Sequence, residues 1–388
     1  MSRLDPNWSF LFITATPLSP VQGSGTYVGI ATLKSALEKL GHSVQILAPW
    51  FWSGNFVVRR YFFNRFLPDK IRVLCKIRHF DFIIGFDCDG FLWAWRRKIS
   101  TDFSSIPYVV SVKGVLADEA KQEKGFIHWL LQLQAQWERR NVQNADLILV
   151  TSQYCQRIVE KEYQVPSSKI RVVPELIHIE RWEEMLKNRS QTPIFSRTLH
   201  PAPRTPHSVI VLTVCRMYPR KNLGLLLRAW FRVIKRYPNA QLRIVGTGQE
   251  YGRWRKLAEE FQLDDSVIFL GDQTQEELAK EYRNCDLFCL PSLQEGFGIV
   301  FLEAMIAAKP IVATTAAAIP EVVHHNEQGF LVAPDSESEL AEALLRLIES
   351  PELRQRFGEA GRERVRQFDA LRVAEQFLSS IAKVQALK

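Results

Sequence analysis

Short runs of hydrophobic residues recur along the chain, separated by stretches in which apolar positions have helical spacing. In the first half these runs lie at residues 8–15, 43–48, 80–85, 108–112 and 147–151. Strands that are apolar on both faces are typical of a parallel sheet that helices cover on each side. The first half therefore predicts a doubly wound α/β domain, with its first helix over residues 27–40.

The same pattern restarts after a proline-rich interval. Residues 188–208 contain four prolines and little periodicity, which predicts a linker. Further apolar runs follow at residues 209–214, 241–246, 267–271, 287–290, 310–313 and 329–332. We therefore predict an α/β protein with two Rossmann-like domains. The predicted parts are a first domain at 1–190, a linker at 191–207, a second domain at 208–369, and an amphipathic helix at about 370–388 that can pack on the first domain.

The composition fits a two-domain globular protein with a modest basic excess. Of 388 residues, 46% are hydrophobic and 24% are charged, and the formal net charge is +8. A positive charge suits a phosphorylated substrate, an anionic membrane surface or nucleic acid. The sequence has no basic repeat, zinc-ligand spacing or aromatic RNA-binding motif, so nucleic acid is not an expected partner.

The cysteines and the apolar runs indicate in which cellular compartment the protein is expected. Six cysteines are scattered without a CxxC pair, which predicts buried, reduced thiols in a reducing environment. The first apolar run is short for a signal peptide, and no stretch approaches the ~20 apolar residues of a membrane span. These features predict a cytoplasmic protein that is at most peripheral on the inner membrane face.

The segment at residues 291–308 is the strongest candidate site. Residues 295–298 (EGFG) are predicted to form a loop after an apolar strand, with a helix beginning at Ile299. Glycines let a ligand approach the backbone, and amides at a helix start attract anions and oxygen-rich groups. Glu303, one turn inside the helix, suits the hydroxyls of a ribose. The alternative is a capped turn with two solvated glutamates.

Two cations form a second candidate site. Arg216 is predicted to end a strand, and Lys221 to begin a helix. In open sheets, ligands bind at the carboxyl edge of the strands, where two cations can clamp a diphosphate. They would also stabilise the charge that develops as a glycosyl–phosphate bond breaks. The alternative is a solvated basic turn.

Two segments of the first half are weaker candidates. The glycine-rich loop at residues 22–26 (QGSGT) can cradle a phosphate with its amides, or is a tight turn. Residues 87–89 (DCD) resemble a metal-binding Asp-x-Asp pair. Because Arg216 and Lys221 already supply a means of neutralising an anion, we expect neither a metal nor another cofactor.

Taken together, these segments resemble retaining glycosyltransferase family 4, which has the GT-B fold of two Rossmann-like domains facing a cleft. The resemblance is strongest over residues 209–369, where EGFGIVFLEAM and VCRMYPRKN resemble the family's Glu-x7-Glu and Arg-x4-Lys segments. QGSGT resembles its N-terminal glycine loop. The family retains anomeric configuration, usually needs no metal, and takes its sugar from a nucleotide-diphosphate donor.

The resemblance also implies roles for individual residues. The implied catalytic residues are Arg216, Lys221 and Glu295. The implied donor-binding residues are Gly23, Gly25, Arg216, Lys221, Leu270, Gly271, Glu295, Phe297, Gly298, Ile299 and Glu303. In this set the two cations hold the diphosphate, and the nucleotide base lies near residues 270–271.

The chain departs from the family pattern at three places, one of which is Cys215, where the family often has a glycine before the arginine. Lys113 stands where the family often has histidine, and residues 174–178 (PELIH) replace its usual Pro-Asn-Gly-Val-Asp turn. Lys113 is either an acceptor-side or phosphate contact, or a surface lysine. The acceptor itself is not identified by the sequence.

Residues 49–78 combine aromatic residues with arginines and lysines. Such a mixture suits an anionic membrane interface and a lipid or lipid-linked acceptor. The alternative is that the aromatic residues fill the core and the cations are solvated.

The expected function is a retaining, metal-independent transfer of a sugar from a nucleotide-diphosphate donor to an unknown acceptor. Two other functions remain open, a non-catalytic protein that binds a sugar nucleotide and a GT-B enzyme of another reaction, such as an epimerase or a phosphorylase.

Overall fold

A computed structural model describes residues 7–17, 25–49, 55–99, 106–188 and 209–385. The chain divides into two compact units. One comprises the described residues up to Leu176 together with those from Ala370 onward, and the other spans Ile177–Asp369. The predicted linker at 191–207 lies outside the described residues, so the sequence-based domain bounds stay a prediction.

The strands of the first unit form a parallel sheet in the order β2-β1-β3-β4-β5-β6. They are β1 (Ser9–Ile13), β2 (Ser43–Leu47), β3 (Phe82–Phe86), β4 (Tyr108–Val112), β5 (Leu147–Val150) and β6 (Ile170–Val172). The helices before the second unit are α1 (Gly25–Lys39), α2 (Phe56–Ile77), α3 (Phe91–Ile99), α4 (Leu116–Glu119), α5 (Gly125–Gln143) and α6 (Gln153–Tyr163). β3 and β4 are buried along their whole length, as the apolar runs predict.

The strands of the second unit form another parallel sheet, in the order β12-β11-β10-β7-β8-β9. They are β7 (Ile210–Val214), β8 (Gln241–Val245), β9 (Val267–Gly271), β10 (Leu287–Leu290), β11 (Ile311–Thr314) and β12 (Gly329–Val332). The helices of this unit are α7 (Ile179–Lys187), α8 (Leu223–Arg236), α9 (Tyr251–Glu260), α10 (Gln275–Asn284), α11 (Ile299–Ile306), α12 (Ile319–Val322), α13 (Glu337–Glu349) and α14 (Pro351–Arg364).

The last helix, α15 (Ala370–Gln385), belongs to the first unit. Its apolar side packs into the same core cluster as α1 and β1, and the ring of Phe377 lies 6.1 Å from that of Phe10. α7, in contrast, belongs to the second unit, where the ring of Trp182 meets that of Tyr282 edge-on at 5.8 Å. The first core is therefore completed by a helix that follows the second unit in the chain.

None of the six cysteines, all of which lie in the described residues, forms a disulfide, and the predicted burial is confirmed for all except Cys75, which is half-buried. Among the helices of the described ranges, none is both long and apolar enough for a membrane span.

Candidate donor site and its counterpart in the first unit

Three of the predicted donor-site residues lie where the strand order of the second sheet reverses. β7 pairs with β8 on one side and with β10 on the other, so the chain progresses outward in both directions from this point. Arg216 and Lys221 follow β7, and Glu295 follows β10. The carboxyl ends of parallel strands share one edge, and a reversal of strand order opens a crevice there for ligands.

Lys221 and Glu295 form an ion pair in this crevice. Lys221 Nζ lies 2.5 Å from Glu295 Oε1, and the two side chains are only 13% and 10% exposed. The buried Ser292 hydroxyl donates to the same carboxylate oxygen at 2.8 Å. Both contacts fall on Oε1, so among the described residues Oε2 is the carboxylate oxygen that remains to meet a ligand.

Arg216 lies two residues beyond the end of β7, rather than at its last residue as the sequence predicted. Its Nη1 is 3.6 Å from Asp272 Oδ1, which places Asp272 within ion-pair range. Asp272 Oδ2 in turn accepts a hydrogen bond from the Thr247 hydroxyl at 2.8 Å. About a third of each partner's side chain is exposed, so the guanidinium is accessible to a bound anion.

Lys221 ends a short 3-10 turn instead of beginning a helix. The turn spans Pro219–Lys221, and α8 begins two residues after Lys221. Asn222 between them has a left-handed backbone (φ 54°), which redirects the chain from the turn into α8.

The loop after β10 ends at Gly298, which is the residue before α11. Gly298 has φ 90°, and a Cβ at this position would lie 2.6 Å from the ring of Phe301. Glycine is therefore required at this position, because any other side chain would clash with Phe301 and strain the left-handed backbone. The predicted helix start at Ile299 is confirmed, and the first amides of α11 carry the positive end of the helix dipole.

Glu303 lies inside α11 and is almost completely buried, with 6% of its surface exposed. The hydroxyl of Tyr282 donates to Glu303 Oε2 at 2.9 Å. Burial raises the pKa of Glu303 to about 7, although the hydrogen bond from Tyr282 opposes this shift. Near neutral pH the protonated and the charged forms of this carboxyl are therefore both populated.

The remaining predicted donor-binding residues of the second unit lie at the same edge of the sheet, but some of their polar groups and rings already contact other protein residues. Leu270 and Gly271 end β9, one strand beyond β8. The carbonyl of Leu270 accepts from the Gln273 side chain at 2.8 Å, and that of Gly271 accepts from the Gly246 amide at 2.7 Å. Phe297 is a core residue whose ring packs on Phe368 at 5.4 Å, so its backbone is the part that can reach a ligand.

The glycine loop is only partly described. Gly23 lies outside the described residues, whereas Gly25 is the exposed first residue of α1. The predicted start of this helix at residue 27 is two residues late.

Lys113, the candidate acceptor-side residue, directly follows β4 and forms an ion pair with Glu175. Nζ lies 3.1 Å from Oε1 and 3.2 Å from Oε2, and the side chains are 7% and 8% exposed. Lys113 is therefore not a solvated surface lysine.

Both carboxylates of the DCD segment are held by the protein. Asp89 Oδ1 lies 3.0 Å from Arg60 Nε, with 1% and 6% of the two side chains exposed, and Asp89 Oδ2 accepts the amide of Ala15 at 2.6 Å. Asp87 accepts the amide of Lys113 at 2.7 Å, and burial raises its pKa to about 7. A divalent cation would have to displace Arg60 from Asp89, so these residues do not fit a metal site.

Three side chains that orient the donor-site residues were not found by sequence reasoning. They are Ser292, Tyr282 and Asp272, which contact Glu295, Glu303 and Arg216 respectively. Ser292 carries a usable signal, because it lies three residues before Glu295 in the same loop. Tyr282 does not, because an aromatic residue on the apolar side of a helix looks like any core residue.

Two family profiles match the chain. The profile described as "Glycosyl transferases group 1" covers residues 199–364, and "Glycosyltransferase Family 4" covers residues 23–181. The D-inositol 3-phosphate glycosyltransferase of Corynebacterium jeikeium is 34% identical over 233 residues, which are 57% of this chain and 54% of the relative. The phosphatidyl-myo-inositol mannosyltransferase of Mycobacterium leprae is 35% identical over 175 residues, 43% of this chain and 46% of the relative. The chain thus aligns with about half the length of each relative.

Two solved structures share the fold over almost the whole chain. Sucrose-phosphate synthase from Thermosynechococcus elongatus superposes with a TM-score of 0.79 at 20% identity, covering 98% of this chain and all of the other. HepE from Anabaena, solved in complex with UDP, superposes with a TM-score of 0.69 at 19% identity, covering 97% and 99%. With its two doubly wound sheets and both profile matches, the chain belongs to the group 1, family 4 glycosyltransferases of GT-B fold.

Proposed function

We propose that the chain is a retaining glycosyltransferase that moves a sugar from a nucleotide-diphosphate donor to a hydroxyl acceptor without a metal. The observation that carries the proposal is the buried Lys221–Glu295 pair, with Arg216 and the start of α11 at the same edge of the sheet. It joins cations suited to a diphosphate with a carboxylate suited to sugar hydroxyls, at the edge of a sheet where ligands bind.

In the proposal the donor diphosphate binds between Arg216 and Lys221. Lys221 is already neutralised by Glu295, so the bound diphosphate would share its ammonium with that carboxylate. The sugar hydroxyls then donate to Glu295, while the amides at the start of α11 face negatively charged or oxygen-rich groups. The charged form of Glu303 accepts the ribose hydroxyls.

The proposed reaction breaks the bond between the anomeric carbon and the diphosphate oxygen, and the bonding electrons stay on that oxygen. The acceptor oxygen forms the new bond on the same face of the sugar, and its proton passes to an oxygen of the leaving diphosphate. Negative charge grows on the leaving diphosphate, and the positioned cations Arg216 and Lys221 stabilise it. The cations thereby supply the neutralisation that a divalent metal provides in other transferases.

The relatives support the class of reaction and suggest acceptors to test. One is named for transfer to D-inositol 3-phosphate and the other for mannosyl transfer to phosphatidyl-myo-inositol. A suitable panel is therefore myo-inositol, an inositol phosphate, a free hexose, and phosphatidylinositol in vesicles. Uridine and guanosine diphosphate sugars are suitable first donors, and HepE supports the uridine nucleotides through its complex with UDP.

The proposal is tested by protection against thermal unfolding with nucleotides and nucleotide sugars in the presence of a chelator. A ligand that binds only the folded state raises the unfolding temperature by mass action. We expect one nucleoside diphosphate sugar to protect, and Lys221→Ala to abolish the protection. Arg220→Ala is the matched control, because Arg220 is the neighbouring cation and lies over the ring of Tyr218 at 4.8 Å.

Three results would contradict the proposal. If no nucleotide sugar protects, the donor site is assigned wrongly. If protection requires a divalent ion, the metal-independent mechanism is wrong. If the donor binds tightly but is neither hydrolysed nor transferred, the chain is a non-catalytic sugar-nucleotide-binding protein. The anomeric configuration of a product, measured by NMR, tests retention.

We also propose that α2 contacts an anionic membrane surface. Of the aromatic residues in the described part of 49–78, Phe63 alone is fully buried. The others remain 38–46% exposed, namely Phe56, Tyr61, Phe62 and Phe66. The interpretation that these aromatic residues fill the core is therefore wrong for the four exposed ones.

The charges on the same helix favour an anionic surface. The exposed positions of α2 include Arg65, Lys70, Arg72 and Lys76, with Asp69 as an exposed acid. A helix with aromatic and basic residues on its exposed side inserts its rings at the headgroup level while its cations meet anionic lipids. The relative that acts on a phosphatidylinositol supports a lipid-linked acceptor for such an enzyme.

A further inference from the structure

Two of the three places where the chain departs from the family pattern are in direct contact. Lys113 and Glu175, which belongs to the altered PELIH segment, form the ion pair described above. Lys113 follows β4, and Glu175 follows β6 by three residues. Both therefore lie at the carboxyl edge of the first sheet, the edge at which open α/β sheets bind ligands.

The pair also lies against the helix that begins at the glycine loop. A Cβ placed on Gly29 of α1 would be 2.5 Å from Glu175 Oε2, so the carboxylate approaches the helix backbone closely. Gly29 is four residues after Gly25, which is about 6 Å along a helix. The charge pair is therefore close to the start of α1, where the sequence predicts donor contacts.

The hydrogen-bonding capacity of the pair is not exhausted. An ammonium group has three N–H donors, and a carboxylate has about four acceptor positions. Glu175 can take at most two of the donors of Lys113, and in the described ranges neither side chain has another hydrogen-bond or ion-pair partner. One donor and at least two acceptor positions remain side by side.

A neighbouring donor and acceptor with no net charge match the adjacent hydroxyls of a polyol. One hydroxyl can donate to Glu175, while the oxygen of the next accepts from Lys113. A phosphate fits less well, because the carboxylate of Glu175 would repel it. In the described ranges this pair also has no second cation of the kind that the proposal assigns to Arg216 beside Lys221.

We propose that Lys113 and Glu175 together bind adjacent hydroxyls of a sugar or cyclitol, which is either the sugar of the donor or the acceptor. The inference rests on the proposed glycosyltransferase function and specifies the chemistry at its first-unit site. Stability alone is a weak reason for the pair, because a buried ion pair often stabilises a protein no more than packed apolar residues do.

The first test is direct binding, which needs no turnover. Binding of myo-inositol and glucose is recorded by saturation-transfer NMR, and binding of inorganic phosphate by broadening of its phosphorus NMR signal, each as a separate probe. We expect a signal from at least one polyol and no phosphate broadening that depends on this pair, and loss of the polyol signal in Glu175→Gln. If neither polyol binds, or if Glu175→Gln leaves polyol binding intact, the inference is wrong. The inference is equally wrong if phosphate binds and its binding requires Lys113.

The second test separates recognition from a structural role with the exchanged variant Lys113→Glu/Glu175→Lys. It keeps an ion pair but moves the donor and acceptor to each other's positions. We expect the exchanged variant to unfold near the wild-type temperature but to lack polyol binding and transfer, as Glu175→Gln does. A purely structural pair predicts that the exchanged variant regains both, which would overturn the inference.

Asp146→Asn is the matched control. Asp146 pairs with the buried guanidinium of Arg97 at 2.5 Å, and it precedes β5, so it lies at the opposite edge of the same sheet. This variant is expected to lower the unfolding temperature without changing polyol binding or the KM of either substrate.

Kinetics then identify which substrate carries the hydroxyls. Loss of one charge-assisted hydrogen bond corresponds to about a 10- to 100-fold weaker interaction. In Glu175→Gln we expect that loss in the KM of the acceptor, or else in the extra protection that a nucleotide sugar gives over its nucleoside diphosphate. If both quantities are unchanged, the pair does not bind hydroxyls. Protection by the nucleoside diphosphate alone tests the donor site, so its failure is distinguishable from failure of this inference.

Discussion

The hydroxyl of Tyr282 on α10 donates to Glu303 Oε2 on α11 at 2.9 Å. In the proposed site Tyr282 itself contacts no ligand, whereas Glu303 accepts the ribose hydroxyls. The hydrogen bond therefore lets Tyr282 act on the ligand through Glu303. Burial raises the pKa of Glu303 to about 7, and the hydrogen bond from Tyr282 lowers it toward the ordinary value. The tyrosine therefore favours the charged form of the carboxyl, which is the form that can accept two hydroxyls.

We predict that the affinity for a nucleotide sugar rises with pH across neutrality. With a pKa of about 7, the charged fraction of Glu303 increases from about one tenth at pH 6 to about nine tenths at pH 8. Calorimetric titration should show up to about a tenfold gain in affinity over this range. A nucleotide sugar is the appropriate ligand, because its diphosphate has no terminal group that titrates here.

Two variants control this prediction. Glu303→Gln should bind weakly with a flat pH profile, since the amide does not titrate. Tyr282→Phe should move the midpoint of the profile to higher pH, because the hydrogen bond that favours the charged carboxyl is lost. A steep profile that persists in Glu303→Gln would show that another group controls binding.

Ser292→Ala is expected to lower the turnover number without preventing donor binding. The Ser292 hydroxyl donates to the same oxygen of Glu295 that pairs with Lys221, so its loss loosens a carboxylate that must be oriented toward the sugar. Removing a hydrogen bond to a charged group should reduce kcat about tenfold. Steady-state kinetics and nucleotide protection on the same preparation separate the two effects. An unchanged kcat would mean that Lys221 alone positions Glu295.

Removing the carboxylate of Asp89 should destabilise the first unit and reveal no metal requirement. The variant Asp89→Asn leaves the buried guanidinium of Arg60 without its anion, which typically costs about 3–5 kcal/mol. The free energy of unfolding in urea should fall accordingly. Added magnesium or manganese should restore neither stability nor transfer, and a chelator should leave the wild-type rate unchanged. Recovery of the variant by a divalent ion would show that the DCD segment binds metal.

The double variant Phe62→Ser/Phe66→Ser should weaken binding to anionic vesicles. These rings stack at 6.5 Å on the exposed side of α2, and each is nearly half exposed. We expect the wild-type protein to sediment with phosphatidylglycerol vesicles at low salt, less at high salt, and little with phosphatidylcholine. Leu371→Ser changes an exposed apolar residue of α15 and should have no effect. Equal binding to neutral and anionic vesicles, or to neither, would contradict the charge-assisted contact.

The alternation of apolar runs predicted most of the fold. Eleven predicted strands correspond to β1–β5 and β7–β12, within two residues at each end, because buried parallel strands are uniformly apolar. β6 was missed because it has only three residues, the central one is Arg171, and two of them are half-buried at the edge of the sheet. An edge strand of this kind lacks the continuous apolar run that marks a buried one.

The sequence predicts only those parts of the site whose residues lie next to one another in the chain or directly after an apolar strand. The residues of EGFG and the cations after β7 follow apolar strands, so their place at a sheet edge follows from the sequence. The contact between Lys113 and Glu175 joins residues 62 positions apart, and no local pattern reports it. The same holds for Arg60 and Asp89, whose ion pair engages one carboxylate of the DCD segment.

The position of α15 in the chain has a consequence for synthesis on the ribosome. Its apolar side, including Phe377, completes the core around Phe10 and α1, yet it is translated after all of Ile177–Asp369. Domains commonly fold as they emerge, with the N-terminal one first. Here the apolar surface that α15 covers stays exposed in the nascent first unit until the second unit has been translated. The second unit, whose chain is continuous, can therefore complete its native core before the first unit does.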